Sequence, residues 1–229
     1  MVCLFGHKWD GCKCEKCGKI RDEQHDWKGL VCSVCKQTRT IDEVTDHASL
    51  VEIAKNDSDI RVRIKAAEKL NDKPLIAYLN ELRIARKAIW SDDWDDYYAV
   101  TRLTDQALLA DVAKNAIHIL GRKFAVQKLT DQAALIDLAK NSGCVEVRVL
   151  AVEKVKDQAV LAEIIKSRAG IIESQRGEAD TDEYVAVRAA AAHRLTDKTL
   201  IADVLENAEY FIPAYYYYTV LFDRLNDQS

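Results

Sequence analysis

One phrase recurs along most of this chain: LTDQALLADVAKN at 103–115, LTDQAALIDLAKN at 129–141, VKDQAVLAEIIKS at 155–167 and LTDKTLIADVLEN at 195–207. Two diverged copies, VTDHASLVEIAKN at 44–56 and LNDKPLIAYLNEL at 70–82, open the series. A fixed period restricts the fold more than any other feature, because a short unit cannot bury its apolar face alone and must stack on its neighbours. The shared aspartate marks the units as Asp46, Asp72, Asp105, Asp131, Asp157 and Asp197, with Asp227 in a terminal echo. The spacings are 26, 33, 26, 26, 40 and 30, so the base period is 26 and units two, five and six carry insertions.

Each unit reads as two short helices. The Thr-Asp step supplies an N-cap carboxylate, and Leu135, Leu138 and Ala139 then fall on one face of a helix from Gln132 to Lys140. After the Asn-Ser-Gly break at 141–143, Val147, Leu150, Ala151 and Val155 form a second stripe at i, i+3, i+4 and i+8. Two prolines and eight glycines in 229 residues leave little to interrupt helices. The expected body is all-α, a right-handed α-solenoid of about six two-helix repeats over residues 44–229.

The segments DIRVRIKAAEKLND (59–72), CVEVRVLAVEKVKD (144–157) and YVAVRAAAAHRLTD (184–197) resemble the second helix of HEAT-type repeats, with a V-R step before an Ala-rich face. Their shortness is similar to that of bacterial HEAT-like and leucine-rich-repeat-variant arrays. The resemblance covers residues 44–228 and implies a scaffold or adaptor, since known members of such families mostly act so. The once-per-unit recurrence of the aspartates and of Arg63, Arg148 and Arg188 marks caps and inter-repeat ion pairs, not catalytic pairs. His118, His193 and Cys144 each stand alone and are read as structural.

The insertions are expected between the two helices of their units, on one edge of the stack. They are IWSDDWDDYY (89–98), SRAGIIESQRGEADTDE (167–183) and AEYFIPAYYYY (208–218). Trp90, Asp92, Asp93, Trp94, Asp95 and Asp96 place aromatics among acids, a combination suited to a basic protein or peptide partner. The competing reading is that these aromatics close the core where the repeat is distorted. Tyr215 to Tyr218 fall on the second helix of the last unit, as an apolar end-cap.

Residues 1–43 obey a different period. His7, Trp9, Cys14, Cys17 and Arg21 return as His25, Trp27, Cys32, Cys35 and Arg39, each shifted by 18. C-x2-C lets two thiolates reach one tetrahedral ion, and metal binding would supply the folding energy that so short a segment lacks. Two units give three ligands each, and Cys3 and Cys12 remain. If each site borrows a cysteine from the chain before its histidine, one site is Cys3, His7, Cys14 and Cys17, and the other is Cys12, His25, Cys32 and Cys35. A rival partition stays open, with Cys14, Cys17, Cys32 and Cys35 on one ion and Cys3, His7, Cys12 and His25 on another. The module resembles small zinc ribbons, and two zinc ions are expected, with four protein ligands each and so a structural role. An iron–sulfur cluster is the less favoured alternative, because the paired histidines are not its usual ligands.

The function expected from this reading is a non-enzymatic protein–protein interaction scaffold or adaptor. No nucleophile–base set or small-molecule site is evident. The alternative is a nucleic-acid-associated protein using Lys13, Lys16, Lys19, Lys28 and Arg39, which a formal net charge of −4 disfavours. No apolar run is long enough for a membrane span and no signal-peptide pattern is seen, so a cytoplasmic protein is expected, where clustered cysteines bind metals more often than they pair.

Overall fold

The computed structural model describes residues 9–15, 18–21, 25–91, 93–167, 181–206 and 215–226, with the side chains of Trp94, 181–184 and 215–217 left out of the description. Its contacts sort into two compact units, residues 1–83 and 84–229. The division falls inside a helix, so the first helical residues group with the cysteine-rich segment and not with the repeats that follow.

The first unit begins with two hairpins that repeat the 18-residue shift in three dimensions. Strand β1 (Trp9–Asp10) pairs antiparallel with β2 (Lys13–Cys14), and β3 (Trp27–Lys28) with β4 (Val31–Cys32). Trp9 faces Cys14 in the first register and Trp27 faces Cys32 in the second. Each two-residue loop opens on a glycine with positive φ, +54° at Gly11 and +60° at Gly29, which a side chain would strain. Beyond each hairpin the chain turns through a left-handed residue, Gly18 or Lys36, and returns alongside as single bridges Lys13 to Ile20 and Val31 to Thr38.

Helices follow: α1 (His47–Asn56), α2 (Ile60–Lys69) and α3 (Lys73–Trp90). Asp46 caps α1 by accepting from the Ser49 amide, and Asp59 caps α2 by accepting from the Arg61 amide. Ile41, Val44, Leu50, Ile53, Ala54, Ile64 and Leu79 form the core of this unit.

In the second unit, α4 (Trp94–Ala99) precedes α5 (Gln106–Asn115), α6 (Ile119–Lys128), α7 (Gln132–Asn141), α8 (Val145–Val152), α9 (Gln158–Lys166), α10 (Thr181–Arg194), α11 (Lys198–Glu206) and α12 (Tyr215–Asn226). Pairs α5/α6, α7/α8, α9/α10 and α11/α12 pack internally, while α6, α8, α10 and α12 contact one another in succession. Helix α5 meets α7 and α9 meets α11, so the unit is a two-layer stack of helix pairs. Among the described residues the chain is mostly helical.

The side chains that recur once per repeat hold this stack to itself. Asp105, Asp131, Asp157 and Asp197 cap α5, α7, α9 and α11 with their carboxylates. The arginine of the V-R step hydrogen-bonds a carbonyl where the first helix of its own pair ends: Arg63 to Ala54 O, Arg148 to Ala139 O and Arg188 to Ser167 O. Each of these arginines thus reaches the end of its partner helix through a backbone carbonyl. Cations there complement the negative end of the helix dipole. Ion pairs between successive repeats join Lys114 with Asp137, Lys140 with Glu163 and Lys166 with Asp203.

The basic residue three places before Asp157, Asp197 and Asp227 reaches back to the preceding repeat. Lys154 Nζ donates to Val126 O and Gln127 O, Arg194 to Val155 O, and Arg224 to Ala192 O and Leu195 O. Gln106 and Gln158 accept from the backbone amides of Thr130 and Thr196, tying each cap to its neighbour.

The first insertion is largely helical. Helix α3 runs through to Trp90 because ELRIARKAIW holds no glycine or proline, and Asp93 starts α4 by accepting from the Asp95 amide. The other two insertions lie mainly outside the described residues, which hold only their ends in α10 and α12.

Candidate metal centre

Four side chains converge in the cysteine-rich segment. The Sγ atoms of Cys12, Cys32 and Cys35 and a ring nitrogen of His25 all lie within 4.8 Å of one another. Cys12 Sγ is 3.5 Å from Cys32 Sγ, and Cys35 Sγ is 3.4 Å from His25 Nδ1. Metal–sulfur bonds of about 2.3 Å and metal–nitrogen bonds of about 2.0 Å put tetrahedral edges near 3.8 Å for S···S and 3.6 Å for S···N. The donors are therefore spaced for one ion. A multi-iron cluster would hold its sulfur ligands farther apart than this set allows.

The local chain explains the convergence. The loop of the first hairpin, Gly11-Cys12, carries its thiol out of its own unit and into the second, where it is fully buried. In the second unit, the Lys36 amide donates to Cys32 O at 3.0 Å and the Cys32 amide to Gln37 O at 2.8 Å, bending the C-x2-C step so that both sulfurs face inward. The first unit repeats that backbone, with Gly18 N to Cys14 O and Cys14 N to Lys19 O, both 2.9 Å. Cys14 is buried, whereas Cys3, His7 and Cys17 lie outside the described residues. One four-donor set is thus in place, and it is the one that the borrowing partition assigns to the second unit.

Burial pushes the Cys12 thiol up to about 12, helped by hydrogen bonds with Cys35 and Cys32. Burial also works against ionising Cys32, but hydrogen bonds from the Cys35 amide, the His25 ring and the Val34 amide outweigh it and bring that thiol down to about 5. A cation among these sulfurs favours the thiolate form of each, so its binding releases protons.

A stack of side chains leads away from the centre. The His25 ring lies 4.8 Å from the Trp27 ring, and the Arg39 guanidinium sits over the same indole at 4.7 Å. Arg39 also donates to Gly29 O and pairs with Asp46 at 3.8 Å, the residue that caps α1. Arg21 repeats the stack over Trp9 at 4.8 Å and donates to Gly11 O. Leu30 occupies the place that Cys12 holds in the first unit, and it packs against the core of α1 and α2. The second hairpin loop therefore ends the metal-ligand series and joins it to the helices through an apolar contact. The 18-residue echo pointed to this substitution, but only the structure shows where the leucine goes.

The partner-binding candidates are scattered. Trp90 ends α3 and is 76% exposed. Asp93 is engaged as the α4 cap, Asp95 stands in the first turn of α4, and Asp96 pairs with Lys87 at 3.3 Å. Asp92 lies outside the described residues, as does the Trp94 side chain. Tyr97, from the same insertion, is buried and stacks on His118 at 4.4 Å, as the core-closing reading expects. His118 itself caps α6 by accepting from the Leu120 amide, and Cys144 sits at the N-cap position of α8 with its thiol on Glu146.

No helix among the described residues is long and apolar enough to cross a membrane. Comparison with protein-family models, with curated proteins and with solved structures finds no match to this chain.

Proposed function

We propose that the chain is a non-enzymatic interaction scaffold or adaptor, in which a zinc-stapled module heads a HEAT-like, right-handed α-solenoid of about six repeats. The observation that carries this reading is the use made of the recurrent charged side chains. The recurrent aspartates and arginines are committed to helix ends, and the clustered cysteines and histidine offer four donors spaced for one ion. Four protein ligands leave zinc no open position for substrate, so its role is structural. The reading includes a second ion on Cys3, His7, Cys14 and Cys17, and the backbone repeated around Cys14 supports it.

The working surface on this reading includes exposed Trp90, with Asp95 supplying negative charge toward a basic protein segment. The nucleic-acid alternative loses support because Arg39, one of its basic residues, is stacked on Trp27 and paired with Asp46. The test is affinity capture from native cells with the wild-type chain and a Trp90→Ala, Asp95→Lys variant. The reading expects basic partners recovered with the wild type and depleted with the variant. Equal recovery would remove this surface from the account, and salt-sensitive nucleic acid in place of protein would replace the scaffold reading.

A further inference from the structure

Arg21 is no metal donor, yet its contacts converge on the hairpin loop that carries one. Its backbone amide donates to Cys12 O at 2.9 Å, its Nε donates to Gly11 O at 3.2 Å, and its guanidinium lies 4.8 Å over the Trp9 ring. The Gly11 carbonyl belongs to the peptide plane before the Cys12 Cα, and the Cys12 carbonyl to the plane after it. With both planes held, the two backbone dihedrals of Cys12 are held as well, and they set the direction in which its side chain leaves the chain. Trp9 steadies the guanidinium from β1, the strand that enters the loop.

The second unit repeats this clamp on a different residue. The Arg39 amide donates to Leu30 O at 2.9 Å, its Nε and Nη2 donate to Gly29 O at 3.4 and 3.2 Å, and its guanidinium lies 4.7 Å over Trp27. Cys12 is fully buried beside Cys32, in the hairpin that follows its own. Leu30 packs on the core of α1 and α2, the helices that follow the second hairpin. A Cβ at Gly29 would stand 3.8 Å from Ile53 Cγ1, so that loop also lies against its successor. Each clamped loop thus turns its second residue into the next element of the chain, a thiol in one case and an aliphatic side chain in the other.

We propose that Arg21 is a positioning residue of the metal centre, which aims the Cys12 thiol at an ion whose other three donors come from the second unit. This rests on the reading that Cys12, His25, Cys32 and Cys35 hold zinc. His25, Cys32 and Cys35 are gathered by the turns of their own unit within residues 25–35, whereas Cys12 arrives from outside it and depends on how the first loop is held. Without the clamp the loop is free before binding, and the ion must order it at a cost in affinity.

Two measurements on the full chain test this: zinc affinity by competition with a chromophoric chelator, and the sulfur-to-metal charge-transfer absorption of the cobalt-loaded chain. The variants are Arg21→Met, which keeps an apolar stem over Trp9 and removes the donors, Arg21→Lys, Cys12→Ala, and Cys12→Ala combined with Arg21→Met. Arg21→Met is expected to weaken zinc binding on the order of tenfold and to lower the charge-transfer band toward that of Cys12→Ala, with the helical circular dichroism unchanged. Arg21→Lys keeps a donor without the planar fork and falls between. In the Cys12→Ala background Arg21→Met has no further effect, because Arg21 acts through Cys12. An Arg21→Met chain with the wild-type affinity and band overturns the proposal. So does an equal loss in both backgrounds, which would make Arg21 a general support of its hairpin. A Cys12→Ala chain that keeps the wild-type affinity and band removes the donor set itself, and the role of Arg21 with it.

Discussion

Asp131 shows how a single recurrent residue was readable and where reading stopped. Its place before an apolar helical stripe predicts an N-cap, and its carboxylate accepts from the Ala134 amide at 2.8 Å. Replacing it with alanine should cost about 1 kcal/mol, seen as a lower denaturant midpoint with an unchanged slope. Arg148 was equally visible as a recurrence, yet its partner was not, because a carbonyl nine residues away comes within reach only when the pair of helices closes. Cys12 lies between these cases. Its lack of a counterpart at Leu30 suggested a ligand lent to the later unit, and the structure brings its sulfur to Cys32. The residue-scale prediction is that Cys12→Ala reduces bound metal by one ion per chain, measured by elemental analysis, while the chain keeps its helical circular dichroism. Unchanged metal content would remove Cys12 from the donor set.

At the scale of elements, the N-caps connect sequence to acid sensitivity. The Ser49 amide holds the Asp46 carboxyl below the usual carboxylate range, Arg61 does so for Asp59, and the Thr199 hydroxyl for Asp197. Asn141 and then Lys114 act likewise on Asp137. A carboxyl that ionises more easily folded than unfolded stabilises above its unfolded pKa, and that contribution disappears as pH falls through the folded value. Helix stability should therefore be level near neutrality and decline below about pH 4. Asp46→Asn, Asp59→Asn and Asp197→Asn keep a capping side chain but remove the proton, so the combined variant should show a shallower decline in thermal melts over that range. An identical decline would mean that other groups control it. The helix pairs were legible from the 26-residue phrase, since period and caps act locally. The length of α3 was not, because the insertion at 89–98 reads as a loop from its acids while its first residues simply continue a helix that nothing interrupts.

For the whole molecule, two kinds of cohesion meet within residues 1–83. The hairpins have little core and depend on ligands, whereas α1 and α2 rest on buried aliphatic side chains. Complete chelation should therefore alter the fluorescence of Trp9 and Trp27 while most of the far-ultraviolet helical signal remains. A proportionate collapse of both signals would show that the repeats also require the metal. The 18-residue and 26-residue periods made both parts visible in sequence, but Leu30 as their apolar joint depends on a fold contact that neither period contains. The most direct test of the central claim is the zinc count of the purified wild-type chain and of Cys12→Ala, Cys32→Ala. If both cysteines serve the same ion and a second site stands apart, the wild type holds two zinc ions and the double variant holds one. A double variant with none, or a wild type containing iron and sulfide, would contradict that account.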